Sequence, residues 1–268
     1  MEGDAVAASG KSKTGGAAKS RKAGRKGKGL LRRIFGILLW PVGWLWRRLW
    51  RLGLGFACLA VIWVLLYRVI DPPGGYYMLA ERWRLGGLSH EWRDLSAMSE
   101  SLPLAAIAAE DARFCAHSGF DLAAIEAAIE ANAAGRRLRG GSTISQQVAK
   151  NLFLWPERSW LRKGLEAGFT LLIETLWPKQ RIVEIYLNIA EFDEGVFGAG
   201  AAARHYFGRD AAGLDQRRAS LLAAILPDPK GRSAARPGPW TRNRAASIAA
   251  GARTLKAEGR ADCALPAR

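Results

Sequence analysis

Gly140-Gly141-Ser142-Thr143-Ile144-Ser145-Gln146-Gln147-Val148-Ala149-Lys150-Asn151 is the stretch from which the rest of the chain can be read. Thr143 and Gln146 stand at capping-box spacing, so a helix starts there and runs to about Phe153, with Pro156 as its stop. Two glycines feed that helix N-terminus, whose free N–H groups favour a phosphate. Lys150 follows two turns later, at i+7 from Thr143 and on the same side. A capping box alone accounts for Thr143 and Gln146. Two glutamines in an apolar context still need a polar network or a ligand, because a buried amide without a partner is costly.

The same start and stop signals recur on both sides. Pro103 opens a helix over Leu104–Phe114, and Asp121 caps one through about Ala134, which Gly135 ends. Ser159 caps a long helix to Trp177, with Pro178 as its stop, and Lys179–Phe192 makes another. Gly195, Gly198 and Gly200 mark a tight bend. Ala199–Phe207 and Asp215–Leu226 read as shorter helices, the last closed by Pro227. Thr241 could cap a final helix over Thr241–Glu258. No run of alternating strands interrupts the series, so the class is mainly α.

Upstream, the chain changes character. Of its net charge of +16, residues 1–51 hold 13 Lys/Arg against 2 Asp/Glu. Residues 1–29 are Gly, Ala, Ser, Lys and Arg with little to pack, and read as a disordered basic cytoplasmic tail. Residues 30–51 alternate tryptophans with arginines and suit the headgroup layer of a bilayer. Residues 52–70 form a transmembrane helix, uncharged from Leu52 to Tyr67, with Arg68 snorkelling and Asp71-Pro72-Pro73 as its end. The basic side stays in the cytoplasm, which puts everything after residue 71 outside that membrane. Attraction to anionic lipid explains the tail with fewer assumptions than nucleic acid, so no nucleic-acid partner is expected. Residues 71–101 read as a neck, 102–245 as the main domain, and 246–268 as a C-terminal tail with a helical stretch. Three cysteines cannot all pair. Cys115 and Cys263 would bond only in an oxidising space, and the unpaired state is favoured.

Four clusters carry chemistry. In Glu110-Asp111-Ala-Arg-Phe114-Cys-Ala-His117-Ser-Gly119, helical spacing puts Glu110, Phe114 and His117 on one face. An acid ending an apolar helix beside an aromatic ring has its pKa raised, and can take a proton from a hydroxyl near neutral pH. Helix-end electrostatics is the plain alternative, at equal weight. The second cluster is the glycine-fed helix start quoted above. In the third, Arg162-Lys163-Gly-Leu-Glu166 is either a surface ion pair or two cations and an acid suited to a diphosphate leaving group. In the fourth, Lys179–Asn188 carries Glu184-Ile-Tyr186-Leu-Asn188, which reads first as core packing. His90, His117 and His205 form no trusted metal spacing, so the metal ligands stay unknown.

Taken in order, Glu110-Asp-x-x-Phe-x-x-His-x-Gly119, Gly140-Gly-Ser-Thr-Ile-x-Gln-Gln-x-x-Lys-Asn151, Arg162-Lys-x-x-Glu166 and Glu184-x-Tyr-Leu-Asn188 resemble the successive motifs of the family 51 peptidoglycan glycosyltransferases. The resemblance covers about 75–245, and Glu194-Gly-Val-Phe-Gly198 is similar to its monofunctional members. It implies a lysozyme-like helical head with a smaller membrane-proximal jaw, mainly α, preceded by one transmembrane helix. It implies catalytic roles for Glu110, as general base, and Glu166. It implies substrate contacts for Asp111, Ser142, Gln146, Gln147, Lys150, Asn151, Arg162, Lys163 and Lys179. Leu152-Phe153-Leu154-Trp155 with Trp160 resembles the greasy jaw surface, which should dip into the bilayer.

The implied reaction is inverting polymerisation of lipid II into glycan strands, with release of undecaprenyl diphosphate. No cofactor is required, and a divalent cation (Mg or Mn) near the diphosphate is admitted. The implied partners are lipid II, the growing glycan strand, the bilayer and other cell-wall synthesis proteins. The implied location is a bacterial inner membrane, single-pass, with a periplasmic catalytic domain. The family commonly has Ser where Pro178 stands and Glu where Arg218 stands, so something else must hold the helix at 218. A lysozyme-type muramidase and a non-enzymatic wall scaffold are the rival readings. The short stretch after Gly198 and the lack of Ser-x-x-Lys lead us to expect no second catalytic domain.

Overall fold

The computed structural model describes residues 23–133 and 141–266, and side chains from Trp40 onward except at 132–133. Most of the tail expected at 1–29 lies outside the described residues, and so does its reading as disordered. Its last part, 23–29, is helical.

The first helix, α1, runs unbroken over Ala23–Val69 and carries Pro41 inside it. It covers both the segment read as interfacial, 30–51, and all but the last residue of the one read as membrane-spanning, 52–70. Leucine and arginine are good helix formers and carry the helix past the lost hydrogen bond and ring clash of the proline. Within α1, Trp40–Val69 is long and apolar enough to cross a membrane, which fits a membrane-anchored enzyme. The chain divides into two compact units, 1–58 and 59–268.

In the second unit, residues 71–101, expected as a neck, are folded. They supply α2 (Tyr76–Leu85), β1 (Ser89–His90) and a 3-10 turn at Leu95–Ala97. Then come α3 (Ser101–Glu110), α4 (Leu122–Ala133), α5 (Ile144–Phe153), α6 (Trp160–Leu176) and α7 (Lys179–Ile189). Strands β2 (Glu191–Asp193) and β3 (Val196–Phe197) precede α8 (Ala199–Phe207), α9 (Gln216–Ile225) and α10 (Pro239–Ala257). The three short strands form one sheet in the order β1-β3-β2, with β1 parallel and β2 antiparallel to β3. The fold is mainly helical, as expected.

Helix α3 is the central element. Leu102 to Ile107 are all buried, which is why its sequence shows no polar face. It packs on α9 and α10 and reaches α7, while α5 packs on α6 and α7. Helix α10 passes through residue 245 without a break. Thr241, expected as its cap, is a buried residue inside it. Gly238 precedes the helix and Pro239 takes the first position, where a missing N–H costs nothing. Asp215 caps α9, accepting from the Arg218 N–H at 2.8 Å and pairing with its guanidinium at 2.5 Å. This local pair holds the helix at Arg218.

The neck is seated tightly. A Cβ on Gly75 would lie 1.8 Å from the carbonyl oxygen of Asn151. Gly75→Ala must therefore push α2 away from the end of α5. We expect a loss of at least about 1–3 kcal/mol, the usual range for overpacking, read as a lower melting temperature. A melting temperature equal to the parent's would mean that α2 is not seated this closely.

Cys115 and Cys263 are joined by a disulfide across a sequence separation of 148, with Cα atoms 5.9 Å apart. The unpaired state favoured from sequence is thus corrected. Two cysteines this far apart give no local signal; only the return of the C-terminal segment to the 3-10 turn at Phe114–Ala116 brings them together. Such a bond persists in an oxidising compartment. Cys58 is free and exposed.

Candidate active site

Helix α3 ends at Glu110, four residues earlier than expected. Asp111 leaves the helix because its side chain is wanted elsewhere. Its Oδ2 accepts from the Ile144 N–H at 3.1 Å and its Oδ1 meets His117 Nε2 at 2.9 Å. The Gly119 N–H donates to His117 Nδ1 at 3.1 Å, so Nε2 carries the proton and donates to Asp111. Thr143 Oγ1 donates to the Gly119 carbonyl at 2.7 Å. Gly119 sits at φ +89°, and a Cβ there would lie 2.6 Å from Thr170 Cγ2, so only glycine serves. The first two motifs are stitched together by these contacts. The expected face of Glu110, Phe114 and His117 is not formed, because the helix has already ended.

The capping box of α5 is complete, with the Gln146 side chain accepting from Thr143 N at 3.0 Å and Thr143 Oγ1 from Gln146 N at 3.3 Å. One glutamine of the pair is thereby satisfied. The other, Gln147, donates through Nε2 to Glu110 Oε2 at 2.9 Å. Burial pushes the Glu110 carboxyl above the usual carboxylate range. The Gln147 bond, Arg244 and Lys150 oppose the shift, and Asp111 adds to it.

Two cavities flank this pair. One, of about 270 Å³, is lined by Glu110, Asp111, Arg113, Asp121, Ser142 and Thr143 among others. The other, of about 280 Å³, is lined by Tyr77, Gln147, Lys150, Asn151, Tyr186 and Glu191 among others. Burial lowers the Lys150 pKa, and Arg162, Lys163 and Arg158 push the same way, against Glu166. Glu166 is buried; Arg162 Nη1 donates to it at 2.7 Å and Lys163 Nζ to its other oxygen.

The structure thus groups Glu110, Gln147, Lys150 and Asn151, with Ser142 exposed at the mouth of the first cavity and the Arg162, Lys163 and Glu166 set acting on Lys150. It does not bring Lys179 to this group. Lys179 Nζ donates to the His117 carbonyl at 2.8 Å and to Glu174 at 2.9 Å, and lies 4.1 Å from the Phe114 ring centre. Asp111 is engaged by Ile144 and His117, and Gln146 Oε1 by the Thr143 N–H at the start of α5. Asn188 bonds the Arg93 backbone and the Glu184 carbonyl, in keeping with its reading as structure.

Sequence reasoning missed Tyr77, Glu191 and Arg244. Tyr77 donates to Glu191 at 2.7 Å, and burial first, then that bond, pushes its hydroxyl up to about 12. None of the three lies in a motif, and only the fold places them near the cleft.

The greasy surface expected at Leu152–Trp155 is corrected. Leu152, Phe153 and Leu154 are buried. Phe153 stacks on Phe169 at 4.6 Å and meets Trp63 edge-on at 5.1 Å. An apolar stripe looks the same in sequence whether it faces a core or a bilayer. The expected exposure holds at Trp160, which is 93% exposed; Trp83, 83% exposed, and Leu161 are further exposed apolar side chains.

Both Glu166 oxygens are engaged by cations, which disfavours a further cation there. Asp111, His117 and Asp121 hold ligand atoms within 4.8 Å of one another. However, the His117 nitrogen carries a proton given to Asp111, and Asp121 caps α4 and pairs with Arg113. These residues do not fit a resident ion, and no step is routed through one.

A desolvated carboxyl that faces a cation set across a helical scaffold equips an enzyme to take a proton from a hydroxyl and to hold an anionic leaving group. The transglycosylase family profile matches residues 79–252. Relatives named biosynthetic peptidoglycan transglycosylase include one from Jannaschia sp. (strain CCS1), 50% identical over 82% of this chain and 89% of its own. Another, from Pseudomonas aeruginosa, is 54% identical over 76% of this chain and 90% of its own. A third, from Xanthomonas campestris pv. campestris, is 52% identical over 76% and 86%. The chain belongs to the transglycosylase family.

Proposed function

We propose that this peptidoglycan glycosyltransferase polymerises lipid II, a lipid-linked disaccharide, into glycan strands with inversion, releasing undecaprenyl diphosphate. The observation that carries the reading is the Glu110–Gln147 pair, set between two cavities with Lys150 in the second. Glu110 takes the proton of the acceptor's sugar hydroxyl as that oxygen bonds to the donor's anomeric carbon. The bond from that carbon to the diphosphate oxygen breaks, and the diphosphate keeps the electron pair. Lys150, Arg162 and Lys163 hold its charge. These cations would balance the leaving group's charge, and Mg or Mn would add to that charge stabilisation.

An apolar groove of about 940 Å³, lined by Trp63, Met78, Leu79, Phe153, Leu154 and Trp155 among others, supplies a place for the prenyl chain. Leu154 borders both this groove and the Lys150 cavity, so lipid and diphosphate would lie end to end. The membrane-spanning stretch, the excess of basic residues before it and the disulfide after it all support a cytoplasmic N-terminus and an outward-facing catalytic domain.

A raised carboxyl would also serve a glycan hydrolase as its acid, but the cation set has no task in hydrolysis. The test is to give purified protein labelled lipid-linked disaccharide in one tube and finished glycan in another. Elongation in the first with no cutting in the second is expected. Cutting without elongation would overturn the reading.

A further inference from the structure

The C-terminal segment folds back onto the turn that carries Glu110 and is tied to it at three successive points. Arg244 Nη2, on α10, donates to the Ala109 carbonyl at 2.8 Å, one residue before the base. Arg260 Nη2 donates to the Ala112 carbonyl at 3.3 Å, two residues after it. Cys263, in the 3-10 turn Asp262–Ala264, is bonded to Cys115. Between Glu110 and Gly119 the backbone has no regular structure beyond the three-residue 3-10 turn. A turn of that kind is held by its contacts rather than by its own hydrogen bonds. A carbonyl at the end of α3 also needs an external donor, and Arg244 provides one for Ala109.

We propose that this C-terminal clasp, Arg244 with the Cys115–Cys263 bond, positions Glu110 for proton transfer, so that glycosyl transfer depends on the bond being closed. The proposal rests on Glu110 acting as the base. Arg244, Cys115 and Cys263 line neither of the two cavities; they act through the placement of residue 110. A general base displaced by about 1 Å loses roughly a hundredfold in rate. The enzyme is consequently least active in a reducing compartment and reaches full activity once oxidised.

The groups that face Glu110 are Gln147 and Lys150 from α5, Tyr186 from α7, Arg244 from α10, and Asp111 beside it. Arg244 favours the carboxylate, so its loss moves the acidic limb of kcat against pH upward. Opening the disulfide lets water reach the carboxyl and relieves its burial, which moves the limb downward. A staple that only stabilised the fold would lower the melting temperature and move neither limb.

The experiment uses the full chain and lipid-linked disaccharide, with kcat and KM measured across pH and well below the melting temperature. It compares the parent, Cys115→Ser/Cys263→Ser, Arg244→Gln, Arg244→Lys and Glu110→Gln. The parent is also treated with tris(2-carboxyethyl)phosphine, which opens the bond to two thiols and is itself oxidised to the phosphine oxide. We expect kcat to fall about ten- to hundredfold in the double-serine variant and in the reduced parent, with KM little changed and the limb displaced downward. Reoxidation should restore the parent. Arg244→Gln should lose rate with the limb displaced upward, and Arg244→Lys should recover part of it. If the serine pair does not fold, the reduced parent and Arg244→Gln carry the test. Unchanged kcat and limbs in these, beside an inactive Glu110→Gln, would overturn the clasp alone. An active Glu110→Gln would overturn the assignment of the base instead.

Discussion

Replacing Glu110 by glutamine is expected to lower the rate of chain elongation by about a hundred- to ten-thousandfold, the usual contribution of a positioned base, while leaving the protein as stable as the parent or more so. The two halves of this result have one cause. Burial raises the folded-state pKa of Glu110 above its ordinary value. Between the ordinary and the raised value the folded state binds more protons than the unfolded, so stability falls as pH rises through that window and stays lower above it. A neutral glutamine removes that burden and keeps an oxygen to accept from Gln147 Nε2, which lies 2.9 Å from Glu110. The melting temperature at neutral pH should therefore stay level or rise as activity disappears. For the parent, the acidic limb of the rate should lie above that of an unperturbed glutamate, because the base works only when deprotonated. Elongation by a well-folded glutamine variant at the parent's rate would remove Glu110 from the mechanism.

The residues explain unevenly how much of this could be read beforehand. Caps are local, and Thr143, Ser159 and Asp215 each start a helix where the sequence places it. Helix ends decided by tertiary contacts are not local. Nothing before residue 111 says that its carboxylate will leave α3 to hold Ile144 N and His117. The Glu110 and Lys150 clusters were legible as motifs, because a proton acceptor and a phosphate-holding helix start have recognisable chemistry. Arg244 was not, being one arginine among many in a basic segment. Phe153 was misplaced because an apolar side chain has the same signature against Phe169 as against lipid.

Glu166→Gln should lower both stability and turnover, and a companion variant separates the two effects. Glu166 is buried between Arg162 and Lys163. Arg162 is itself buried, and its Nε has no acceptor among the described residues. Removing the acid leaves that guanidinium uncompensated, which costs about 3–5 kcal/mol for a buried pair. In a domain of this size each kcal/mol shifts the melting temperature by roughly 2–4 °C, so a fall of roughly 6–20 °C is expected. Lys150 also loses a nearby charge that favours its protonated form, since Glu166 acts on it against the neighbouring cations. Its grip on a diphosphate should weaken, and elongation should drop with the melting temperature. Replacing the pair with Arg162→Met/Glu166→Leu removes both charges together and should recover most of the stability, as apolar replacements of buried ion pairs commonly do. It should not recover the rate, because the charge proposed to act on the diphosphate has gone with Arg162. Parent-like elongation by the apolar pair would mean that Arg162 and Glu166 only hold α6 together, and that Lys150 and Lys163 carry the diphosphate without them.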